Sequence, residues 1–156
     1  MKPDRQPYPL SELIAETVES FHALAEQRGV TVRAQVAAGS DPAQVDAQQI
    51  SRVLGNLISN ALRHTPAGRE VTVSARPAGA MIEVAVADSG EGIAAQDLPH
   101  IFERFYRGEK SRNRATGGSG LGLAIARAVI EAHGGSIRAE SQPGQGARFV
   151  FTVPAR

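Results

Sequence analysis

The sequence predicts an α/β two-layer sandwich, α+β in class, in which a mixed sheet of about five strands carries three main helices on one face. Three observations lead there. Five segments alternate apolar and polar residues with a period of two, as half-buried strands do: "VTVRAQV", "EVTVSARP", "MIEVAVAD", "SIRAES" and "ARFVFTV". Three longer segments repeat apolar residues at i, i+3, i+4 and i+7, the stripe of a helix lying on a core. Their order is helix, strand, helix, two strands, an irregular stretch, helix, two strands, which stacks one helical layer on one sheet. With 156 residues, 42% of them hydrophobic, the chain suffices for a single domain, 1–156, around one core.

Ser11 is placed to cap a first helix that runs to about Arg28, with Leu13, Ile14, Val18, Phe21, Leu24 and Ala25 on one face and Gly29 as its stop. After the strand "VTVRAQV", the turn-rich "AGSDPAQ" leads to a short segment around Val45. The second helix starts near Asp46 or Ala47. Its stripe is Ile50, Val53, Leu54, Leu57, Ile58, Ala61 and Leu62, and Pro66 and Gly68 end it. "EVTVSARP" and "MIEVAVAD" form an antiparallel hairpin turning around Pro77 to Gly79. From Ser89 to Gly120 glycines and charges dominate, broken by the apolar cluster "IFERFY"; a stretch this long inside a small domain is expected to be a functional lid, approximately 94–119. The third helix, "LGLAIARAVIEAHGG", shows Leu121, Ile125, Ala128, Val129 and Ala132 roughly on one face, with Gly134 and Gly135 closing it.

Composition removes several functions. Lys and Arg number 17 against 16 Asp and Glu, and a formal charge of +1 offers no broad field for nucleic acid or an anionic membrane, so any phosphate binding is local. Without cysteine there are no disulfides, thiolate metal sites or thiol nucleophiles, which fits a reducing compartment. No apolar run is long enough to span a bilayer, and "MKPDRQPYP" lacks the apolar centre of a signal peptide. Met1 stands so near the first helix that the chain is expected to be cut from a longer protein.

Three places carry chemistry. Along "MIEVAVAD", alternation puts Ile82, Val84, Val86 and Asp88 on one face, so an apolar row ends in a carboxylate that needs donors. Either the following turn supplies them, or a ligand's amino group does, with Gly90 and Gly92 of "DSGEGI" letting the backbone approach a flat ring. "GGSGLGLA", Gly117 to Ala124, runs into the third helix, where free N–H groups and the helix dipole suit an anion; the plainer reading is a hinge with a cap. It matches neither a P-loop nor a dinucleotide fingerprint. On the second helix Gln49, Arg52, Asn56, Asn60 and Arg63 share the face opposite the stripe. They form a solvated polar face, or else an amide carbonyl among them is a hard oxygen ligand for Mg²⁺ and Arg63 reaches a phosphate.

In this order the segments resemble the GHKL ATP-binding superfamily, and within it the catalytic ATP-binding domain of bacterial sensor histidine kinases. "NLISNALRHTP" resembles the N box, "DSGEGI" the G1 box, "IFERFYR" the F box, "GGSGLGLAIA" the G2 box and "GQGARFVF" the last glycine turn, while "PLSELIAETVESFHALAEQRGV" is similar to the family's lead-in segment. The resemblance implies the Bergerat fold, with ATP and Mg²⁺ as ligands. It implies that Asn60 binds the metal, that Asn56 orders metal and phosphates, and that Arg63 contacts phosphate. Asp88 would accept from the adenine amino group, with Gly90, Gly92 and Ile93 around it. Gly118, Gly120, Leu121, Gly122 and Leu123 would form the hinge and phosphate-facing helix start, Phe102 and Phe105 would anchor the lid, and Arg107 and Lys110 would reach toward phosphate. The family frequently has Tyr where this chain has His64, a departure that bears on the base- or ribose-side contact.

The implied reaction is phosphoryl transfer to a histidine on a separate dimerisation and phosphoacceptor domain, then to a response regulator. None of His22, His64, His100 and His133 sits in an H-[ED]-x-x-x-P motif, so the acceptor is expected elsewhere. ATP-hydrolysing relatives carry Glu where this chain has Asn56, and an amide cannot take a proton from water, so intrinsic hydrolysis is expected to be slow. A cytoplasmic, monomeric domain without membrane contact follows, with any inner-membrane anchoring left to the parent protein. Two other readings share the fold: an anti-sigma-factor serine kinase and a nucleotide-binding scaffold without catalysis.

Overall fold

In the computed structural model, which describes residues 2–103, 122–141 and 144–155, the elements are β1 (Gln6–Tyr8), α1 (Leu10–Ser20), α2 (His22–Arg28), β2 (Thr31–Val36), β3 (Ala43–Val45), α3 (Ala47–His64), β4 (Glu70–Ala78), β5 (Met81–Asp88), α4 (Gly122–Ala132), β6 (Ile137–Ser141) and β7 (Ala147–Pro154), with a 3-10 turn at Leu98–His100. The main sheet has five strands in the order β2-β4-β5-β7-β6. β2 and β4 run parallel and the other neighbours antiparallel, so the sheet is mixed as expected. β1 and β3 form a separate antiparallel pair, of which the sequence signalled only the segment around Val45.

Register explains the core. Val73, Val86 and Phe149 line up across three strands, as do Ala75, Val84 and Phe151. This row packs against Leu10, Ile14, Leu54, Leu57, Ile58, Leu62 and Ile130 in one cluster. Ala85 and Val150 are also buried but face the other way, beside Glu83, Arg138 and Arg148. β4 carries Pro77 beyond Ala75, the last residue paired with β2, so the proline interrupts no ladder on that side. The hairpin turn therefore falls at Gly79 and Ala80, a little later than the sequence suggested, with Gly79 at φ 65°.

Asp46 caps α3 by accepting from the Gln49 N–H at 3.3 Å. At the other end Thr65 is extended, as the residue before a proline prefers, and its hydroxyl donates to the Ala61 carbonyl at 2.6 Å. Two expectations change. The first helix is broken at Phe21 and its N-cap is Pro9, not Ser11; Ser11 N–H and hydroxyl both reach the Asp41 carboxylate. The break follows hydroxyls that bond backward, Thr17 to the Leu13 carbonyl and Ser20 to the Thr17 carbonyl, a pattern that bends helices. On α4 the buried residues are Ala126 and Ile130, with His133 just beyond, while Ile125, Ala128 and Ala132 are exposed. Many of this helix's residues are apolar, so periodicity alone admits two faces and packing selects one. Gly134 closes α4 at φ 85°, and Gly135 is needed for another reason: a Cβ there would lie 1.9 Å from the Thr152 carbonyl oxygen. Among the described residues no helix is long and apolar enough to cross a membrane.

Candidate functional site

Asp88 ends the core-facing row of β5 and is partly buried. Its Oδ1 accepts from the Gly90 N–H at 2.9 Å and from the Ala147 N–H at 3.3 Å. Both hydrogen bonds go to one oxygen, so the turn holds the carboxylate while Oδ2 keeps its acceptor capacity. Burial pushes the Asp88 carboxyl above its ordinary value; the two N–H groups and nearby His64 pull the other way without cancelling it.

The loop after Asp88 is clipped from three sides. A Cβ on Gly90 would lie 2.2 Å from the His64 carbonyl oxygen, so glycine at 90 is required by the loop packing on the end of α3. Gly92 takes φ 80°, a left-handed turn position. The Ile93 N–H donates to Ser141 Oγ at 2.6 Å, and that hydroxyl donates to the Gly146 carbonyl at 3.0 Å. The Gly144 N–H reaches the Glu91 carbonyl at 2.6 Å. Gly146, at φ 87°, passes so close that a Cβ would lie 2.1 Å from the Asp88 carbonyl oxygen. Ser141, Gly146 and Ala147 thus hold this loop; the sequence marked the first only as the end of a strand and the other two only as a glycine turn.

The polar face of α3 meets this loop and the start of α4. Asn56 Nδ2 donates to the Gly122 carbonyl at 3.3 Å, and a Cβ on Gly122 would lie 3.8 Å from Asn56 Cγ. One turn on, partly buried Asn60 accepts from Arg63 Nη2 at 3.3 Å. His64 packs by its carbonyl on Gly90. Leu123 and Ile93 lie partly buried against the core, and Phe102 meets Phe149 edge to face, with centroids 6.1 Å apart and planes at 84°. The structure therefore brings Asn56 to Gly122, and His64 to Gly90 and Asp88. Phe105, Arg107, Lys110, Gly118, Gly120 and Leu121, expected on the lid and hinge, lie outside the described residues.

Among the described residues no three His, Cys, Asp or Glu side chains gather to hold a metal. Mg²⁺ arriving on a polyphosphate needs little from the protein, because phosphate oxygens and water fill most of its shell. The Asn60 carbonyl, a hard neutral oxygen on a polar helix face, fits a single supplementary ligand. A separate cleft of about 520 Å³, lined by residues including Asp41, Pro42, Pro77, Met81 and Ala155, opens at the opposite end of β5 from Asp88. Its carboxylate already holds Ser11.

Residues 45–156 match the family described as histidine kinase-, DNA gyrase B-, and HSP90-like ATPase. The chain is 43% identical, over 92% of its length, to the sensor-like histidine kinase SenX3 of Mycobacterium tuberculosis, of which it spans 35%. It is 39% identical, over 98% of its length, to the sensor histidine kinase CusS of Escherichia coli, of which it spans 31%. The chain thus spans about a third of the length of these curated relatives. Among solved structures it resembles full-length ShkA in complex with AMPPNP, with TM-score 0.87 and 27% identity over 99% of this chain and 32% of that one. It also resembles the catalytic domain of histidine kinase ThkA, with TM-score 0.85 and 27% identity over 97% of this chain and 96% of that one.

Proposed function

Because the chain belongs to the family of histidine kinase-, DNA gyrase B- and HSP90-like ATPases, we propose that it is the catalytic ATP-binding domain of a sensor histidine kinase, binding Mg-ATP and supplying the γ-phosphoryl group to a histidine on a separate dimerisation and phosphoacceptor domain that then serves a response regulator. The observation that supports this best is the Asp88 carboxylate, held through Oδ1 with Oδ2 left to accept from an exocyclic amine, facing the end of a helix whose polar row is Asn56, Asn60 and Arg63.

In this reading Asp88 orients the adenine, and Ile93 and His64 flank it. Asn56 orders the phosphate end through the start of α4, Asn60 supplies an oxygen to the metal, and Arg63 donates to phosphate. Mg²⁺, when bound, neutralises developing charge on the phosphates. The chain's own part is positioning: it holds the polyphosphate so that an incoming imidazole nitrogen attacks the γ-phosphorus in line. The bond from that phosphorus to the bridging oxygen breaks, and ADP leaves with the electron pair. Phe105 is assigned to anchoring the lid, Arg107 or Lys110 to phosphate contact, and Gly118, Gly120 and Leu121 to the hinge and the phosphate-facing start of the helix. An amide at position 56 leaves water without a base there, so intrinsic hydrolysis is slow.

The test is transfer in trans. With γ-labelled ATP and Mg²⁺, the label is expected on an added dimerisation domain bearing an H-[ED]-x-x-x-P motif and not on this chain. Label mapping to His22, His64, His100 or His133, or no affinity for an ATP analogue, would overturn the reading.

A further inference from the structure

His133 is fully buried just past the end of α4, and both of its ring nitrogens are engaged. Nε2 accepts from the Asp46 backbone N–H at 3.0 Å, so the ring proton sits on Nδ1, which donates to the Val129 carbonyl at 2.9 Å. Asp46 is the N-cap of α3. The end of α4 is thereby tied to the beginning of α3.

The other end of α4 is tied to the middle of the same helix, through Asn56 and the Gly122 carbonyl. The two helices are antiparallel, and the ties are spaced alike on each. At 1.5 Å per residue the rise is roughly 15 Å from Asp46 to Asn56 and roughly 16.5 Å from Gly122 to His133. Two side-chain-to-backbone bonds at matched spacing fix how far one helix can slide along the other. The residues just before β1 join the same knot: the Asp4 N–H donates to Asp46 Oδ2 at 3.1 Å, and Arg5 Nη1 donates to the His133 carbonyl at 3.4 Å.

We propose that His133 is a positioning residue for the phosphate end of the nucleotide: it sets the axial register with which α4 presents Gly122 to Asn56. This rests on the ATP-binding reading above. His133 touches no ligand in this role. A helix transmits an axial shift along its length because its hydrogen-bond ladder is stiff, so losing the Asp46 tie at the C-terminal end displaces the N-terminal end, about three turns away. Adenine recognition at Asp88 depends on β5, β7 and the end of α3 and does not share this linkage.

That separation supplies the test. In the intact chain, His133→Leu removes the acceptor for the Asp46 N–H, whereas His133→Gln keeps an acceptor at the reach of Nε2. Affinities for Mg-ATP and for adenosine, which has no phosphates, are measured for folded protein by titration. For His133→Leu the expected result is a loss of about tenfold or more for Mg-ATP, with adenosine unchanged within about twofold. For His133→Gln most of the Mg-ATP affinity is expected to be retained. Displaced amide resonances of Gly122 and Leu123 in nucleotide-free His133→Leu would accompany it.

If His133 only stabilises the fold, the melting temperature falls while both affinities hold, or both fall together, and the proposal is overturned. Should His133→Leu fail to fold, His133→Asn, which keeps a donor for Val129 and loses the reach to Asp46, makes the same comparison against His133→Gln. Wild-type protein that binds no Mg-ATP would sink the ATP-binding reading itself, a result distinguishable from equal losses in the variants.

Discussion

Asp88 combines an Oδ2 that takes no part in its two backbone hydrogen bonds with a pKa raised by burial. Its native state therefore keeps the proton to a higher pH than the unfolded chain does. The group's stability contribution falls as pH rises from the unfolded to the folded pKa and stays at the lower level above it. Affinity runs the other way, because only the carboxylate leaves Oδ2 free of a proton. ATP binding is expected to weaken as pH falls through this raised pKa, while a purine nucleotide lacking the 6-amino group shows no such dependence; parallel pH titrations check it. Asp88→Asn can keep both Oδ1 bonds but turns the outer atom into a donor, at an expected cost of about 1.5–3 kcal/mol in ATP binding, roughly tenfold to a hundredfold. Gly146→Ala meets two penalties, a left-handed φ of 87° and a Cβ 2.1 Å from the Asp88 carbonyl oxygen. A loss of about 1–3 kcal/mol in stability from the strained backbone is expected in urea unfolding, with weaker ATP binding in the folded fraction.

Among the elements, α3 carries most of the candidate site, and its geometry depends on its cap. Asp46 accepts from the Asp4 N–H and the Gln49 N–H, and these bonds, the first being the larger cause, hold its carboxyl below the ordinary value. A depressed folded pKa contributes stability that is present above the unfolded value and lost as pH falls through the folded one. Asp46→Ala is expected to cost about 1 kcal/mol near neutral pH. That difference from wild type should shrink in unfolding curves taken well below the ordinary aspartate value of 3.8. The first helix and α4 show what period alone leaves open. Hydroxyls at Thr17 and Ser20 break one, and Ala126 and Ile130 rather than Ile125 and Ala128 bury the other.

For the molecule as a whole, the sheet divides two environments. One face is the apolar core under the helices; the other carries Glu83 among Arg76 at 3.1 Å, Arg148 at 3.8 Å and Arg138 at 3.9 Å, with Glu140 bridging the last two. The Glu83 side chain is only 11% exposed, and the three arginine side chains are 39–66% exposed. Removing it takes the Glu83 carboxylate from Arg76 and leaves Arg138 and Arg148 with Glu140, and the access of all three to water limits the damage. Glu83→Ala is expected to cost about 1–2 kcal/mol in urea unfolding, less in high salt, and to leave ATP affinity unchanged.

What the sequence by itself determined is the five strands of the main sheet, the helical segments, the apolar face of α3, the row that ends in Asp88, and the residue types proposed to meet a base, a metal and phosphates. These are local properties, carried by periods of 2 and 3.6 and by caps and glycines within a few residues. Only the tertiary structure decided which distant groups meet. Ala147 reaches Asp88 across 59 positions, Asn56 reaches Gly122 across 66, and His133 reaches Asp46 across 87. No local pattern encodes such pairings, because each depends on how strands register and helices slide once the apolar faces are buried together. A buried histidine that the sequence marks only as lacking an acceptor motif becomes, in three dimensions, the tie between the two helices that border the candidate site.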